Sequence, residues 1–284
     1  MQHIFGAFLL ALTSLAHTPA PPTWTEPLTS TEFIYVQPGT FTQGDVTGHG
    51  RNNERPVHPV SVSGFYMGRY EVTVDQFRKF SEDTGYITSA QKRGWVLDID
   101  VAMGTWSRQE GISWINPGFK QEGSHPVVWV DWNDANAYAK WLSSRTEGTF
   151  RLPTESEWEY AAKGGKTGSI WSGTSDEKNL PLYAWYDLNS KGTTHGAGLK
   201  NPNGWGIWDM SGNVWEWCQD GYTPYPVSQQ TLQDPFVQQG ELRVLRGGSW
   251  RVNSSIVTTT YRNGYKPGYS HSSIGFRLVK TVDP

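Results

Sequence analysis

The sequence predicts a single α+β domain that is irregular and rich in loops. Its 284 residues include 31 Gly and 17 Pro, which favour turns and keep helices and strands short. They also include 15 Trp, 13 Tyr and 11 Phe. Each such side chain buries about 150–250 Å², so aromatic residues can build the core. No repeat of 20–50 residues and no internal linker divides residues 32–284, which indicates one domain.

Charge and cysteine content exclude several classes of function. Lys and Arg number 24 against 27 Asp and Glu, a net charge of −3, which argues against nucleic acid as the main partner. Cys218 is the only cysteine, so no intramolecular disulfide can form. No apolar run reaches the ~20 residues of a transmembrane helix, so we expect no integral membrane segment.

The N-terminus is typical of an exported protein. Residues 4–16 form an apolar run that is followed by small residues and prolines. We therefore expect residues 1–20 to be a signal peptide and the protein to be periplasmic or secreted. Residues 21–31, rich in Pro and Thr, are interpreted as a linker, and residues 32–284 as the domain.

Short strands and one helix are predicted in the first part of the domain. Residues 33–45 alternate apolar and polar side chains around Pro-Gly, which predicts a hairpin. Residues 60–73 predict two more short strands. Thr73 then begins a helix with apolar residues at helical spacing, and Gly85 ends it.

The middle of the chain is less regular. Residues 84–124 show no periodicity and are predicted to be long ordered loops. Residues 127–145 predict a strand that continues into a helix, with Asp131 or Asn133 as its N-cap.

A capping box marks the next helix. In residues 151–165, Thr154 is followed three residues later by Glu157, and a Gly pair ends the segment. Arg151 lies close enough to pair with the acidic first turn. This segment is interpreted as structural.

Familiar catalytic motifs are not found. The chain has no GxxxxGK[ST], HExxH or GxSxG, and its seven histidines lack the spacing of a helix-borne zinc site. A Ser-His-Asp arrangement stays open, because such triads are assembled in space rather than in sequence.

One acidic pair suggests a metal ion. In WDMSGNVWEW, Asp209 and Glu216 lie seven residues apart, and Gly212 can turn the chain between them. Carboxylates and loop carbonyls are the hard oxygen ligands that Ca²⁺ prefers. The alternative is a pair of solvated carboxylates.

Several segments together resemble the formylglycine-generating enzyme (sulfatase-modifying factor) family. They occur in the family's order and span about 250 residues. The segments are FYMGRYEVTVDQF (65–77), TGYITSAQKRGW (84–95), HPVVWVDWNDANAYAKWL (125–142), RLPTESEWEYAAKGG (151–165), NPNGWGIWDMSGNVWEW (201–217), RVLRGGSW (243–250) and IGFRLV (274–279). The resemblance implies a single irregular α+β fold related to C-type lectins.

The resemblance also implies a structural calcium. Family members bind it through positions that match Asp209, Gly212, Val214 and Glu216, the middle two by their backbone carbonyls. A second family calcium site uses an Asn where this chain has Trp185. We therefore expect one calcium rather than two.

The family's catalytic cysteines are missing. The resemblance places the copper-binding pair at Val252 and Val257. Valine cannot ligate Cu(I), which prefers soft thiolates. We therefore expect neither copper nor conversion of cysteine to formylglycine, and no catalytic residue is assigned. The pocket is expected to bind substrate through Trp215, Ser249, Trp250 and Arg262.

Two functional interpretations follow. The favoured one is an exported enzyme that resembles the oxidoreductase branch maturing the pyoverdine siderophore chromophore. It would act on a peptide or a peptide-derived small molecule, as a monomer. The alternative is a non-catalytic, lectin-like module that binds a peptide or glycan in an aromatic groove.

Overall fold

The computed structural model describes residues 22–100 and 105–282. The predicted signal peptide, residues 1–20, lies outside the described residues. In the described part, none of the helices combines the length and apolar character that crossing a bilayer requires.

The α-helices begin at capping boxes. Before each one, a side-chain oxygen of the N-cap residue accepts a hydrogen bond from the third helical N–H. Such a cap contributes about 1 kcal/mol. The caps at Thr73, Asp131 and Thr154 confirm the sequence predictions. The helices of the described part are α1 (Val74–Thr84), α2 (Ser89–Arg93), α3 (Trp132–Arg145) and α4 (Glu155–Lys163).

The strands are short, as the Gly and Pro content predicts. Those of the described part are β1 (Thr23–Thr25), β2 (Glu32–Val36), β3 (Gly39–Gln43), β4 (His58–Val62), β5 (Phe65–Gly68), β6 (Trp95–Asp100), β7 (Thr105–Glu110), β8 (Phe150–Arg151), β9 (Trp215–Gly221), β10 (Leu232–Gln233), β11 (Arg243–Arg246), β12 (Arg262–Tyr265), β13 (Ile274–Gly275) and β14 (Val279–Thr281).

Three sheets and one hairpin organise these strands. The first sheet has the order β1-β2-β5-β14-β8 and is antiparallel throughout. The second has the order β10-β4-β3, and the third β12-β11-β9-β13. Among the described residues, strands β6 and β7 pair only with each other. Since β9, β11 and β12 lie side by side, the third sheet positions the RGGSW segment.

The predicted hairpin at residues 33–45 is wrong. Strands β2 and β3 form, but they do not pair with each other. Instead, Val36 lies opposite Phe65 and Gly39 opposite Val62, in one uninterrupted register. Both strands are thus halves of a long ribbon that bends at Pro-Gly from the first sheet into the second.

The predicted linker, residues 21–31, is also wrong in its described part. Strand β1 pairs with β2, and the Trp24 ring lies 5.6 Å from that of Phe33. Glu26 is buried and accepts hydrogen bonds from the backbone of Leu28 and Thr29. The domain therefore begins before residue 32, because these contacts satisfy polar groups that a linker leaves to water.

Residues 84–124 contain more regular structure than predicted. Helix α2 and the hairpin of β6 and β7 lie there. Strand β7 is exposed at almost every position. Its sequence therefore lacks the alternation of apolar and polar residues that marks a half-buried strand. Conversely, residues 127–130 are buried but form no strand. Their backbone bonds go to separate segments, from Val127 to Val72 and from Trp129 to His271.

The core is aromatic, as the composition predicts. Phe77 stacks on Tyr138 with ring centroids 5.9 Å apart, and Phe276 packs edge-on against both rings. Trp158 and Trp217 are each 0% exposed. The apolar area of these rings replaces the aliphatic side chains that the composition lacks.

Candidate functional site

A cavity of about 250 Å³ lies beside the RGGSW turn. Its wall combines the start of β9, the loop after the turn, β12 and the loop before β13. Aromatic side chains make up much of this wall: Trp106, Trp215, Tyr261, Tyr265 and Tyr269.

The aromatic wall can receive a ring. Tyr265 and Tyr269 are stacked, with centroids 4.4 Å apart and planes 12° apart. Trp215 lies 5.6 Å from Tyr261 at a tilt. Trp106, from β7, is 52% exposed at the edge of the cavity. Offset stacking and edge-to-face contacts with a planar substrate are both available here.

A polar group borders the same cavity. His271 lies with Nε2 3.0 Å from Asp98 Oδ1 and Nδ1 2.8 Å from Ser273 Oγ. Arg251 donates to Asp98 at 2.7 Å. Burial alone would raise the pKa of Asp98, but hydrogen bonds from His271 and Arg251 lower it to about 2. Asp98 is therefore ionised at neutral pH.

The two positions that the resemblance assigns to the family's cysteines, Val252 and Val257, are apolar in this protein. Val252 lines the cavity, and Val257 is 0% exposed in a cluster with Trp171 and Leu180. Cys218 is also fully buried, and burial raises the pKa of its thiol well above the usual range. The sole thiol of the chain is thus protonated and away from the cavity.

Of the four residues predicted to bind substrate, only Trp215 lies in the cavity wall. Ser249 is 0% exposed, and its hydroxyl accepts a hydrogen bond from the Arg251 backbone. Trp250 is buried against Phe119, and its indole N–H donates to a backbone carbonyl. Both residues hold the turn that borders the cavity, while their binding role stays a prediction.

Arg262 belongs to a buried ion network. Its guanidinium donates to both oxygens of Glu155, at 2.8 and 2.6 Å, and lies 3.8 Å from the Tyr225 ring centroid. Arg246 and Lys163 pair with Glu159 on the next turn of α4. Helix α4 is thereby tied to β11 and β12, and Arg262 faces a different cavity from Trp215.

The two glycines of RGGSW have a packing role. Both have positive φ, 89° at Gly247 and 70° at Gly248. A Cβ on Gly248 would lie 2.7 Å from Val257 and 2.9 Å from the Ile256 carbonyl oxygen. Glycine is required because the backbone here folds closely onto the following loop.

Neither member of the predicted calcium pair is solvated. Asp209 is 2% exposed and Glu216 0% exposed. Asp209 Oδ2 accepts from the Gly198 backbone, whereas its Oδ1 is buried and has no hydrogen-bond partner among the described residues. Glu216 accepts two hydrogen bonds from Arg277 and one from Trp158.

A third carboxylate, Glu71, completes this cluster. One of its oxygens accepts from the Asn213 side chain at 3.3 Å, and the other is buried with no partner in the part of the chain that the structure describes. Burial, together with the charges of Asp209 and Glu216, raises the pKa of Glu71 well above its usual range. Burial likewise raises the pKa of Asp209 to about 6. Three buried carboxyl groups thus share the charges of Arg277 and of Lys200, which acts on Asp209.

Trp185, which the resemblance assigns to the family's second calcium site, has an aromatic ring and a cation as neighbours. Trp185 stacks on His195 with centroids 3.7 Å apart, and Lys200 Nζ lies 3.6 Å from the Trp185 ring centroid. Gly212 packs directly on this residue, since a Cβ there would lie 2.1 Å from the Trp185 carbonyl oxygen. An aromatic and cationic group thus lies at the position that the resemblance assigns to an oxygen ligand.

Sequence reasoning did not single out Glu71, Asp98, His271 or Ser273. Asp98 lies in the hairpin that was predicted as a loop, so nothing indicated its direction. His271 stands among serines in YSHSS, and the tyrosines nearby could have marked an aromatic pocket. Glu71 lies in a family segment. Only the structure shows that its side chain is buried and that one of its oxygens has no hydrogen-bond partner among the described residues.

Comparison with known proteins identifies a family, similar sequences and similar structures. Residues 20–282 match the sulfatase-modifying factor enzyme 1-like domain family. The formylglycine-generating enzyme of Streptomyces coelicolor is 34% identical over 86% of this chain and 88% of its own. The structure of PvdO from Pseudomonas aeruginosa superposes with a TM-score of 0.74 at 25% identity, covering 94% of this chain and 100% of PvdO.

One similar protein is much longer. The serine/threonine-protein kinase pkn1 of Chlamydia pneumoniae is 35% identical over 89% of this chain, which spans only 38% of the kinase. The family match covers almost the whole described chain, and its fold is mixed, loop-rich α+β of the formylglycine-generating enzyme type. The chain therefore belongs to the sulfatase-modifying factor enzyme 1-like family.

Proposed function

We propose that this protein is an exported maturation factor, an oxidoreductase that acts on a peptide or on a peptide-derived small molecule such as a pyoverdine-like siderophore precursor. The observation that carries the proposal is the aromatic cavity beside the RGGSW turn, with Val252 in its wall. Family membership, the resemblance to the siderophore-maturing branch and the likeness to PvdO support it. Export rests on residues 1–20, and N-terminal sequencing of the exported protein tests their removal.

Conversion of cysteine to formylglycine is not part of this proposal. It needs a thiolate pair, and the chain offers Val252, Val257 and the buried Cys218 instead.

We expect that a sulfatase peptide with its cysteine will keep its mass when incubated with this protein, with or without copper. The measurement is mass spectrometry of the peptide, and the Streptomyces coelicolor enzyme is the positive control. A mass loss on the substrate cysteine that depends on this protein would contradict the expectation.

The cavity itself is tested with a ring-bearing substrate. We expect catechol-like or dihydro-chromophore compounds to be turned over in air, with kcat/KM lowered about fivefold to tenfold by Tyr269→Ala, since one ring contact contributes up to about 1.5 kcal/mol. Absorbance of the product measures this. Tyr183→Ala, at a partly exposed tyrosine outside the cavity, is the matched control. Equal losses in the two variants would contradict a site at Tyr269.

The second candidate is a non-catalytic module that binds a peptide or glycan. It is favoured by the absence of any thiol in the cavity wall among the described residues. Saturable binding that Tyr269→Ala weakens, without turnover of any bound compound, would favour this function over the enzyme.

We further propose that one structural Ca²⁺ binds between Asp209 and Glu216, with the carbonyls of Gly212 and Val214. The side chains fit a cation, because Asp209 Oδ1 is a buried oxygen without a partner and Glu216 keeps a lone pair beyond its three hydrogen bonds. Among the described residues, no three His, Cys, Asp or Glu side chains form a complete ligand set. Backbone oxygens are therefore needed.

Removing calcium should lower the melting temperature. At a hundredfold excess over Kd, a ligand that binds only the folded state stabilises it by about 2.7 kcal/mol. Calorimetry with and without chelator measures this, together with elemental analysis. Asp209→Ala should abolish the response, whereas Asp187→Ala, at an exposed aspartate, should keep it. No calcium in the protein and an unchanged melting temperature would refute the site.

A further inference from the structure

A chain of three polar side chains borders the aromatic cavity: Asp98, His271 and Ser273. Both ring nitrogens of His271 are engaged, Nε2 with Asp98 at 3.0 Å and Nδ1 with the Ser273 hydroxyl at 2.8 Å. His271 and Ser273 both line the cavity. They are 7% and 4% exposed, so both are largely buried in the cavity wall.

The charge on Asp98 decides where the protons lie. Because the ionised carboxylate can only accept, we assign the His271 proton to Nε2, which also lies 3.4 Å from Arg251 Nη1. Nδ1 is then left with a lone pair, and the Ser273 hydroxyl donates to it. This is the hydrogen-bond order of a Ser-His-Asp triad, with the roles of the two ring nitrogens exchanged.

Neighbouring contacts hold the three groups in place. Arg251 donates to Asp98 and to Ser272, both at 2.7 Å, and so orients the carboxylate. The backbone carbonyl of Ser273 accepts from Trp215 N at 2.8 Å, and that of His271 accepts from Trp129 N at 3.1 Å. The serine and the histidine are therefore fixed to β9 and to the core, a rigidity that nucleophilic catalysis requires.

We propose that Ser273 is an activated nucleophile that takes the acyl group of an aromatic or arylacetic ester and transfers it to water. The Ser273 oxygen forms a bond to the ester carbonyl carbon while its proton passes to His271 Nδ1. The C–O bond to the alcohol then breaks, and His271 returns the proton to the departing alkoxide. Water then attacks the acyl carbonyl carbon while its proton passes to His271 Nδ1. The bond from that carbon to the Ser273 oxygen breaks, and His271 returns the proton to the serine, which releases the acid and the free hydroxyl.

The cavity wall matches this class of substrate. Tyr265, Tyr269 and Trp215 offer ring faces for the aromatic part of the ester. Arg251 also lies in the wall, and we assign its guanidinium to stabilise the carbonyl oxygen as that oxygen becomes negative. The activity needs no oxidant and does not depend on the proposed redox function, although both use the same cavity.

The experiment uses the whole mature protein and phenylmethylsulfonyl fluoride, whose ring fits the same wall. Intact mass and peptide mapping should show one phenylmethylsulfonyl group on Ser273, with loss of fluoride. Ser273→Ala should lose the modification. His271→Ala should react at least about a hundredfold more slowly, the usual contribution of a general base, and Asp98→Asn should also be slowed strongly. Hydrolysis of 4-nitrophenyl phenylacetate should fall in parallel.

Ser255→Ala is the control, since this exposed serine lines another cavity. Each variant is melted first, so that a rate is compared only among folded proteins. An unmodified wild-type protein, a label on another residue, or a His271→Ala variant that reacts as fast as wild type would each overturn the proposal. Failure here leaves the redox function standing, because turnover of a catechol-like compound is read independently of Ser273 labelling.

Discussion

Replacing Arg277 with methionine will lower the free energy of unfolding by about 3–5 kcal/mol, because it strands a buried charge. Arg277 donates from Nε and Nη2 to the two oxygens of Glu216, at 2.6 and 2.7 Å, and both residues are 0% exposed. It also donates to the backbone carbonyls of Gly68 and Trp208. One side chain thus connects the segment between β13 and β14 to β5 and β9.

Denaturant unfolding at a fixed calcium concentration measures this effect. The double variant Glu216→Gln with Arg277→Met should recover part of the loss, since it removes the stranded charge. Arg78→Met is the matched control, because Arg78 pairs with Asp75 on an exposed helix face and should change stability by about 0.5 kcal/mol or less. A loss below about 1 kcal/mol for Arg277→Met would show that water or a cation satisfies Glu216.

Replacing Arg262 with lysine should lower stability by about 2 kcal/mol. Lysine keeps the positive charge but cannot donate to both oxygens of Glu155 in one plane, and charge-assisted hydrogen bonds contribute about 1.5–3 kcal/mol each. The Tyr225 ring, whose centroid is 3.8 Å from the guanidinium, would also lose its contact with that planar group. This expectation follows from burial, whereas the sequence alone favoured a substrate-binding role for Arg262.

A residue in the cavity wall serves as the comparison for Arg262→Lys. Tyr265→Phe removes one hydroxyl from a partly exposed wall residue and should leave the melting temperature within a few degrees. If Arg262→Lys instead melts like wild type and weakens substrate binding, then Arg262 acts in recognition and the ion network is secondary.

Local chemistry made helices α1, α3 and α4 predictable. Thr73, Asp131 and Thr154 cap their helices through bonds that reach only three residues along the chain, so sequence spacing reveals them. The aromatic core was also predictable, because composition alone shows which residue types carry the apolar area. The ordered family segments likewise predicted the fold class, which the family match and the likeness to PvdO confirm.

Pairings between distant segments were not predictable. The Pro-Gly at residues 38–39 indicates a turn, but it bends a ribbon whose register continues unbroken into another sheet. Strand β7 is exposed at almost every position, so its sequence shows no alternation. In both cases the partner strand, rather than the local pattern, determines the structure.

The sequence by itself determined the family, the helix caps, the aromatic core and the loss of the cysteine pair, because each depends on residue identity at fixed spacing. Only the tertiary structure decided what the polar residues do. Arg262 meets Glu155 across 107 residues, and Arg251 meets Asp98 across 153. Whether a buried arginine binds substrate or neutralises a carboxylate depends on which charge the fold places beside it, since a buried charge without a partner is too costly to remain.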